Sequence, residues 1–225
     1  MKYTTLLLDN DDTLMDFGDA ERQAIKRTLL QNDVPYSEEL RASYSAINDS
    51  LWKRLEKKEI ERDQIFTERF RLFKEKHGFS FCVEKIAADY MKNLELGHTL
   101  MPDALALLED LQDKYDLYIV TNGHGHTQNR RIDDADIRKY FKGVFISEEI
   151  GHQKPQTEYF SYVFKNIRET DKSKILLIGD SLSSDIAGGN AAGIDTCWFN
   201  HKNHPAGAAK PTYEIKTLKE LYNYI

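Results

Sequence analysis

Apolar residues gather in five short segments along the chain, and each segment ends in a polar or glycine-containing turn. The segments are TTLLLDN near residue 8, DLYIVTNG near 120, KGVFIS near 145, KILLIGD near 177 and IDTCWFN near 197. Their apolar positions are continuous rather than alternating, which is typical of strands buried on both faces of a parallel sheet. The pattern therefore predicts five strands of one parallel sheet.

Helical spacing of apolar residues separates these strands. Leucines and alanines repeat at helical spacing after Pro102, which suits the first position of a helix. Further helices are predicted over 157–166 and 183–192, and Gly193 fits the position just after the last turn of the latter. Strands that alternate with helices predict a doubly wound α/β domain, that is, a Rossmann-like core.

Residues 16–97 follow a different pattern, with no strand-like run. Four helical stretches cover about 18–32, 37–58, 63–77 and 82–96. The pattern predicts an all-helical domain inserted after the first strand, so that residues 1–15 and 98–225 form the core. The two connections, near 16–18 and 97–102, are the expected hinges.

Charge and composition narrow the functional classes. The chain has 225 residues and a formal net charge of -6, which argues against binding a nucleic acid polymer because that needs a clustered basic face.

No segment approaches the ~20 apolar residues of a membrane span, and the N-terminus lacks a signal-peptide pattern. Cys82 and Cys197 have no short spacing, so neither a disulfide framework nor a zinc site is expected. We expect a cytoplasmic protein without a membrane partner, as a monomer or a homodimer.

Three acidic residues, Asp9, Asp11 and Asp12, follow the first predicted strand directly. In a parallel α/β sheet, ligands bind outside the carboxyl ends of the strands. Carboxylates packed this closely repel one another, and at neutral pH one of them would tend to hold its proton. A bound cation or a catalytic carboxylate would explain the crowding, and so would a solvated turn.

Further oxygen-bearing side chains follow two other predicted strands. Thr121 and Asn122 end the second, whereas Asp180 ends the fourth, with Asp185 about one helical turn later. A cluster of oxygen ligands with open positions suits Mg²⁺. A carboxylate beside Mg²⁺ can attack phosphorus and form an aspartyl-phosphate, while a second carboxylate acts as general acid.

Basic residues complete the set of candidates. Lys154, just before a helix expected to begin at Pro155, is the candidate that balances the charge developing on a phosphoryl group. Taken alone it would be an ordinary surface lysine. His124 and His126 lack a third ligand nearby, and we interpret them as polar loop residues rather than metal ligands.

The order of these residues resembles the haloacid dehalogenase (HAD) superfamily of phosphohydrolases, whose core carries four motifs. They correspond here to Asp9-Asn10-Asp11-Asp12-Thr13, to a strand ending in Thr121, to Lys154-Pro155, and to Gly179-Asp180 followed by Asp185. The helical insert resembles the C1-type cap domain of this family. The resemblance covers the whole core and implies a Mg²⁺-dependent enzyme.

The resemblance also implies a role for each motif residue. Asp9 would be the nucleophile and Asp11 the general acid and base. The carboxylates of Asp9 and Asp180 and the backbone carbonyl of Asp11 would hold Mg²⁺, with Asp185 acting through water. The phosphoryl group would be bound by Thr121 and Lys154 and by the backbone around Asp12 and Asn122. Many members have glycine where this chain has Asp12, so its side chain is expected to turn away from the phosphate.

Within the superfamily the chain most resembles the YjjG-like 5′-nucleotidase group, through FISEEIGHQKP, IGDSLSSDI, DTCWFN and INDSLW. The resemblance implies a phosphatase for nucleoside 5′-monophosphates, preferring pyrimidines. Phe17, Asn48 and Trp52 are candidate substrate contacts in the insert, with internal packing as the alternative. A phosphatase for phosphoglycolate or sugar phosphates remains open, and a haloacid dehalogenase, a phosphomutase and a non-catalytic binding protein are weaker alternatives.

Overall fold

The chain divides into two compact units in a computed structural model that describes residues 2–205 and 207–225. The first unit comprises the described residues up to Asp16 together with His98–Ile225. The second unit is Phe17–Gly97.

A six-stranded parallel sheet forms the centre of the first unit. Its strands are β1 (Thr5–Leu8), β2 (Asp116–Thr121), β3 (Gly143–Ile146), β4 (Ile175–Gly179), β5 (Asp195–Phe199) and β6 (Tyr213–Ile215). The strand order is β3-β2-β1-β4-β5-β6, and every neighbouring pair is parallel. The five predicted strands and the α/β fold class are confirmed. The edge strand β6 was not predicted because it is only three residues long and contains the exposed Glu214.

The central strand β1 shows why its apolar run is continuous. All four of its residues are buried. Leu6 and Leu8 join one hydrophobic cluster, while Leu7 joins a second cluster on the opposite face of the sheet. Because alternate side chains of a strand point to opposite faces, a strand covered on both sides needs an apolar residue at every position.

The second unit consists of four helices and contains no strand. They are α1 (Phe17–Gln31), α2 (Glu38–Glu56), α3 (Arg62–His77) and α4 (Val83–Leu94). The four predicted stretches agree with these bounds to within two residues. Aromatic residues form the centre of this unit, since Tyr44 lies 5.1 Å from Phe70 and 5.3 Å from Tyr90, measured between ring centroids.

The first unit also contains helices α5 (Ala104–Leu111), α6 (Gly125–Asp134), α7 (Ser147–Ile150), α8 (Thr157–Asn166) and α9 (Ala187–Ala192). A π-helical turn, Leu182–Ile186, leads into α9, and Gly193 ends it in the left-handed conformation, as predicted.

Three sequence predictions about these helices are wrong. The helix after Pro102 begins two residues later, because Asp103 adopts a left-handed conformation (φ 67°) that helical residues do not share. The helix predicted over 157–166 is confirmed as α8, but the expectation that it begins at Pro155 is wrong, since the extended Gln156 separates them. Helix α6 was predicted as a loop, and it includes His126.

Gly189 permits close packing of α9 against the sheet, and this generates a test of the core. A Cβ atom at Gly189 would collide with the methyl group of Thr196 in β5, which is fully buried. We expect Gly189→Ala to lower the free energy of unfolding by about 1–3 kcal/mol, despite the better helix propensity of alanine. Urea denaturation measures this free energy. The control is Ala191→Ser, which changes an exposed residue and should alter the free energy of unfolding by less than about 0.5 kcal/mol. An unchanged midpoint for Gly189→Ala would contradict this packing.

Candidate active site

Three strands place their polar ends at one edge of the sheet. Asp9 follows β1 directly, and its backbone N–H donates to the carbonyl of Ile178 at 2.9 Å, which fixes it beside β4. Thr121 is the last residue of β2, and Asp180 follows the last residue of β4. Because the strands are parallel, these ends meet at the same edge.

A cluster of three carboxylates lies at this edge. Asp9, Asp180 and Asp185 each offer one oxygen atom, and the three atoms lie within 4.8 Å of one another. The π-helical turn directs Asp185 inward, where its Oδ2 accepts from the backbone N–H of Ser181 at 3.1 Å. Gly179 leaves room for this side chain, because a Cβ atom there would collide with the Asp185 carboxylate. Three converging carboxylate oxygens are a ligand set that suits a hard divalent cation.

The buried ammonium group of Lys154 joins two of these carboxylates. Its Nζ donates to Asp9 Oδ1 and Asp185 Oδ1, each at 2.7 Å, and to the carbonyl of Val120 at 2.8 Å. Only 1% of Lys154 is exposed. The three contacts account for the three donors of an ammonium group.

A side-chain clamp fixes the backbone of Lys154 to the end of β2. The Asn122 amide nitrogen donates to the Lys154 carbonyl, and the Lys154 N–H donates to the Asn122 amide oxygen, both at 2.9 Å. The hydroxyl of Thr121 accepts from the N–H of Gly123 at 3.2 Å. These contacts bring the second and third motifs together.

The charges at this edge do not balance. Burial raises the pKa of Asp9, and the charge of Asp185 raises it further, while Lys154 opposes both without offsetting them. Burial also raises the pKa of Asp180, and the charges of Asp9 and Asp185 add to the effect. Burial lowers the pKa of Lys154, but the charges of Asp185 and Asp9 outweigh it, so the net shift is upward. One ammonium group thus faces three carboxylates, and a bound cation would neutralise the excess.

The side chain of Asp11 is held apart from the carboxylate cluster. Its Oδ1 pairs with Arg131 Nη1 at 2.5 Å, and its Oδ2 accepts from Gln128 Nε2 at 2.6 Å. Both partners lie on α6. The Asp11 carboxylate is therefore bonded to α6 and is not one of the three carboxylates of the cluster.

Asp12 adopts a left-handed conformation with φ 56°. This backbone geometry accounts for a residue that is often glycine in the family, because glycine adopts it freely and aspartate tolerates it. The Asp12 carboxylate pairs with Lys202 at 2.6 Å. That its side chain avoids a bound phosphate stays a prediction.

Sequence reasoning missed Gln128, Arg131 and Lys202. The first two lie on a helix whose buried face is mostly polar, with Ile132 as its large apolar residue, so apolar periodicity could not reveal them. Of the two histidines, His126 lies in α6 and is not a loop residue, whereas His124 precedes the helix and caps it by accepting from the backbone N–H of Thr127. Within residues 2–205 and 207–225, the acidic cluster is the one potential metal-binding group found, and it contains no histidine.

The three candidate substrate contacts all lie in the helical unit. Phe17 begins α1, whereas Asn48 and Trp52 are one turn apart on α2. Asn48 is buried, where its amide nitrogen donates to Glu21 at 3.1 Å and its oxygen accepts from Arg69 at 3.3 Å. Trp52 is half-buried, and the Arg62 guanidinium lies 5.7 Å from its ring centroid. Their contact with substrate stays a prediction.

The family model for haloacid dehalogenase-like hydrolases matches residues 3–193 of this chain. The chain belongs to this family. The prediction of a HAD-type hydrolase is thereby confirmed, and the enzyme class follows from the family. Among residues 2–205 and 207–225, every helix is too short or too polar to span a lipid bilayer.

Relatives of this HAD hydrolase support its resemblance to the YjjG-like group. It is 41% identical over 225 residues to YfnB of Bacillus subtilis, named a HAD-hydrolase, with 100% of this chain and 96% of YfnB covered. It is 38% identical to the pyrimidine 5′-nucleotidase PynA of Streptococcus pneumoniae (98% and 94% covered). It is 31% identical to the pyrimidine 5′-nucleotidase YjjG of Escherichia coli (98% and 97% covered). The resemblance to the YjjG-like group is confirmed.

The crystal structure of YfnB from Bacillus subtilis bound to magnesium matches the fold of this HAD hydrolase with a TM-score of 0.95. The alignment covers 99% of this chain and 98% of YfnB, at 41% sequence identity.

The excess negative charge predicts that the acidic cluster destabilises the metal-free protein. The pKa of Asp180 is raised in the folded state, so the folded protein binds more protons than the unfolded chain. The free energy of unfolding therefore falls as the pH rises above about 4, the pKa of an aspartate in the unfolded chain. We expect Asp180→Asn to raise the thermal unfolding midpoint in EDTA, more at pH 8 than at pH 5, and to reduce the further rise that Mg²⁺ produces in the wild type.

The control for this measurement is Asp113→Asn, which changes an exposed aspartate and should leave both midpoints unaltered. A lower midpoint for Asp180→Asn in EDTA at pH 8 would show that the cluster is not under electrostatic stress.

Proposed function

We propose that this HAD hydrolase is a Mg²⁺-dependent phosphomonoesterase that prefers pyrimidine nucleoside 5′-monophosphates. The observation that carries the proposal is the contact of Lys154 with Asp9, buried within a set of three converging carboxylates. A nucleophilic carboxylate, a cation-binding set and a phosphate-binding lysine are the parts that phosphoryl transfer needs. The relatives named pyrimidine 5′-nucleotidases support the choice of substrate.

The residues present fit a divalent metal, since carboxylates with raised pKa values crowd one edge of the sheet. The carboxylates of Asp9 and Asp180 and the backbone carbonyl of Asp11 would hold Mg²⁺, with Asp185 assisting through water. Bound there, Mg²⁺ would supply charge neutralisation and polarise a phosphoryl oxygen. The magnesium-bound structure of YfnB supports this assignment.

Asp9 is the proposed nucleophile. One of its carboxylate oxygens forms a bond to phosphorus as the bond from phosphorus to the ester oxygen breaks, giving an aspartyl-phosphate and the free alcohol. Asp11 donates the proton that the departing oxygen takes. Water then attacks the aspartyl-phosphate, Asp11 accepts its proton, and orthophosphate leaves. Lys154 favours the ionised form of Asp9, which a bound cation would favour further, and it balances the charge on the phosphoryl oxygens, to which Thr121 donates.

The helical unit is proposed to act as the cap domain and to select the substrate. Phe17, Asn48 and Trp52 would contribute to this selection. The magnesium-bound YfnB structure is described as revealing interdomain movement, which supports a mobile cap in a relative of similar sequence. Closure of such a domain would exclude bulk water from the aspartyl-phosphate during its formation.

A panel of phosphate esters tests the proposed substrate class. We expect kcat/KM for uridine, thymidine and cytidine 5′-monophosphates to exceed the values for adenosine and guanosine 5′-monophosphates, phosphoglycolate and hexose phosphates by at least about tenfold, because a tenfold ratio needs only about 1.4 kcal/mol of differential binding. Phosphate release with Mg²⁺ supplied measures the rates.

Two matched variants accompany this panel. We expect Asp9→Asn to lose at least about 10³-fold in kcat for every substrate, because the nucleophile is gone. The control, Asp113→Asn, should act like the wild type. A higher kcat/KM for phosphoglycolate or a hexose phosphate would contradict the substrate class alone. Appreciable turnover by Asp9→Asn would contradict the mechanism.

A further inference from the structure

Helix α6 buries a charged face that the proposed reaction leaves unexplained. Arg131 has no exposed surface, and Gln128 is 2% exposed. A guanidinium group taken out of water needs close partners, because an unpaired buried charge costs several kcal/mol. Asp11 provides such a partner for Arg131 at 2.5 Å.

Gln128 engages the other oxygen of the same carboxylate. Its Nε2 donates to Asp11 Oδ2 at 2.6 Å, while its Oε1 accepts from the side-chain amide of Asn10. The bond from Asn10 fixes which end of the Gln128 amide faces Asp11, since only the oxygen can accept. Gly123 leaves the space for Gln128, because a Cβ atom there would collide with its amide.

Two of the three acids of the first motif, Asp9 and Asp11, are thus held by cations from different elements. Asp9 is paired with Lys154, which precedes α8, whereas Asp11 is paired with Arg131 on α6. Two aspartates separated by one residue would otherwise share a crowded space. The arrangement separates an acid that attacks phosphorus from an acid that transfers protons.

We propose that Arg131 and Gln128 are positioning residues that orient the Asp11 carboxylate for proton transfer to the departing oxygen. The proposal rests on the function proposed above for Asp11. Each oxygen of a carboxylate has two lone pairs, and the two bonds from α6 use one on each oxygen. Asp11 therefore keeps a site for the transferred proton while its plane is fixed by two bonds.

Two other interpretations of the same contacts lead to different results. The bonds could serve only to anchor α6 to the first motif, in which case their loss would slow all substrates equally. They could instead retain Asp11 in a resting position that it must leave, in which case their loss would accelerate the reaction.

A series of aryl phosphates separates these interpretations, because kcat/KM reports the steps up to cleavage of the ester bond. A p-nitrophenolate leaves without protonation, whereas a phenolate of high pKa, like an alkoxide, needs a proton from a general acid. For Arg131→Met we expect kcat/KM to fall by less than about threefold for p-nitrophenyl phosphate and by more than about thirtyfold for phenyl phosphate. Arg131→Lys, which keeps the charge, should restore part of the loss for phenyl phosphate.

The matched control is Arg130→Met, which removes the neighbouring exposed arginine that pairs with Asp134 and should behave like the wild type throughout. Thermal unfolding and the inhibition constant of orthophosphate, measured with Mg²⁺, establish that each variant keeps its fold and its phosphate site. If Arg131→Met does not fold, Gln128→Met, which removes one donor and no charge, should show the same selective loss at smaller size.

Three results for Arg131→Met or Gln128→Met would overturn the proposal and leave the phosphatase assignment intact. They are an equal loss of kcat/KM for all aryl phosphates, no loss of kcat/KM, and a gain in kcat/KM. If the wild type hydrolyses none of the aryl phosphates or nucleotides with Mg²⁺, the proposed function fails first, and the positioning role fails with it.

Discussion

The ammonium group of Lys154, buried between Asp9 and Asp185, is the interaction on which the active edge of this protein depends. It brings a charge from the loop before α8 to within 2.7 Å of carboxylates that follow β1 and β4. Without it, the two carboxylates would share a buried space with no compensating charge on the chain, at a cost of several kcal/mol. The clamp between Asn122 and the Lys154 backbone ties β2 to the same point.

The incomplete charge balance explains how a stable fold can present a reactive site. The sheet buries apolar side chains on both faces and thereby fixes the strand ends, and with them the acids, in place. Three carboxylates gathered against one lysine repel one another, which is unfavourable for the metal-free protein. Active sites commonly reduce stability in this way, because groups arranged for binding and catalysis repel one another until a ligand arrives. A divalent cation would convert the repulsion into binding energy.

The sequence alone was sufficient to predict the helices and strands that bury apolar side chains. Continuous apolar runs identified five strands, since these strands are covered on both faces, and periodicity identified all four helices of the second unit to within two residues. Motif residues such as Asp9, Lys154 and Asp180 were also predicted, because parallel strands bring their carboxyl ends to one edge of a sheet and the family resemblance names the residues found there. Their convergence in space agrees with that expectation, while their roles stay proposals.

The elements that sequence reasoning missed bury polar side chains or bury few side chains at all. Helix α6 turns Gln128 and Arg131 inward beside Ile132, so its buried face is too polar for apolar periodicity to predict it, and the tertiary contact with Asp11 explains why the two polar residues are buried. Strand β6 is short and lies at the edge of the sheet, where one side chain in three is buried. The start of α5 was misplaced, and Pro155 was wrongly expected to begin α8, because Asp103 and Gln156 adopt non-helical backbone conformations that depend on their surroundings.

The proposed mechanism requires Asp9 to bond covalently to phosphorus beside a divalent cation held by its neighbours. A crystal structure of the protein with Mg²⁺ and beryllium fluoride, which imitates a phosphoryl group bound to a carboxylate, tests it directly. We expect beryllium bonded to a carboxylate oxygen of Asp9, with Mg²⁺ in contact with Asp9, Asp180 and the Asp11 carbonyl. Beryllium fluoride bound elsewhere, with the Asp9 carboxylate bare, would contradict it.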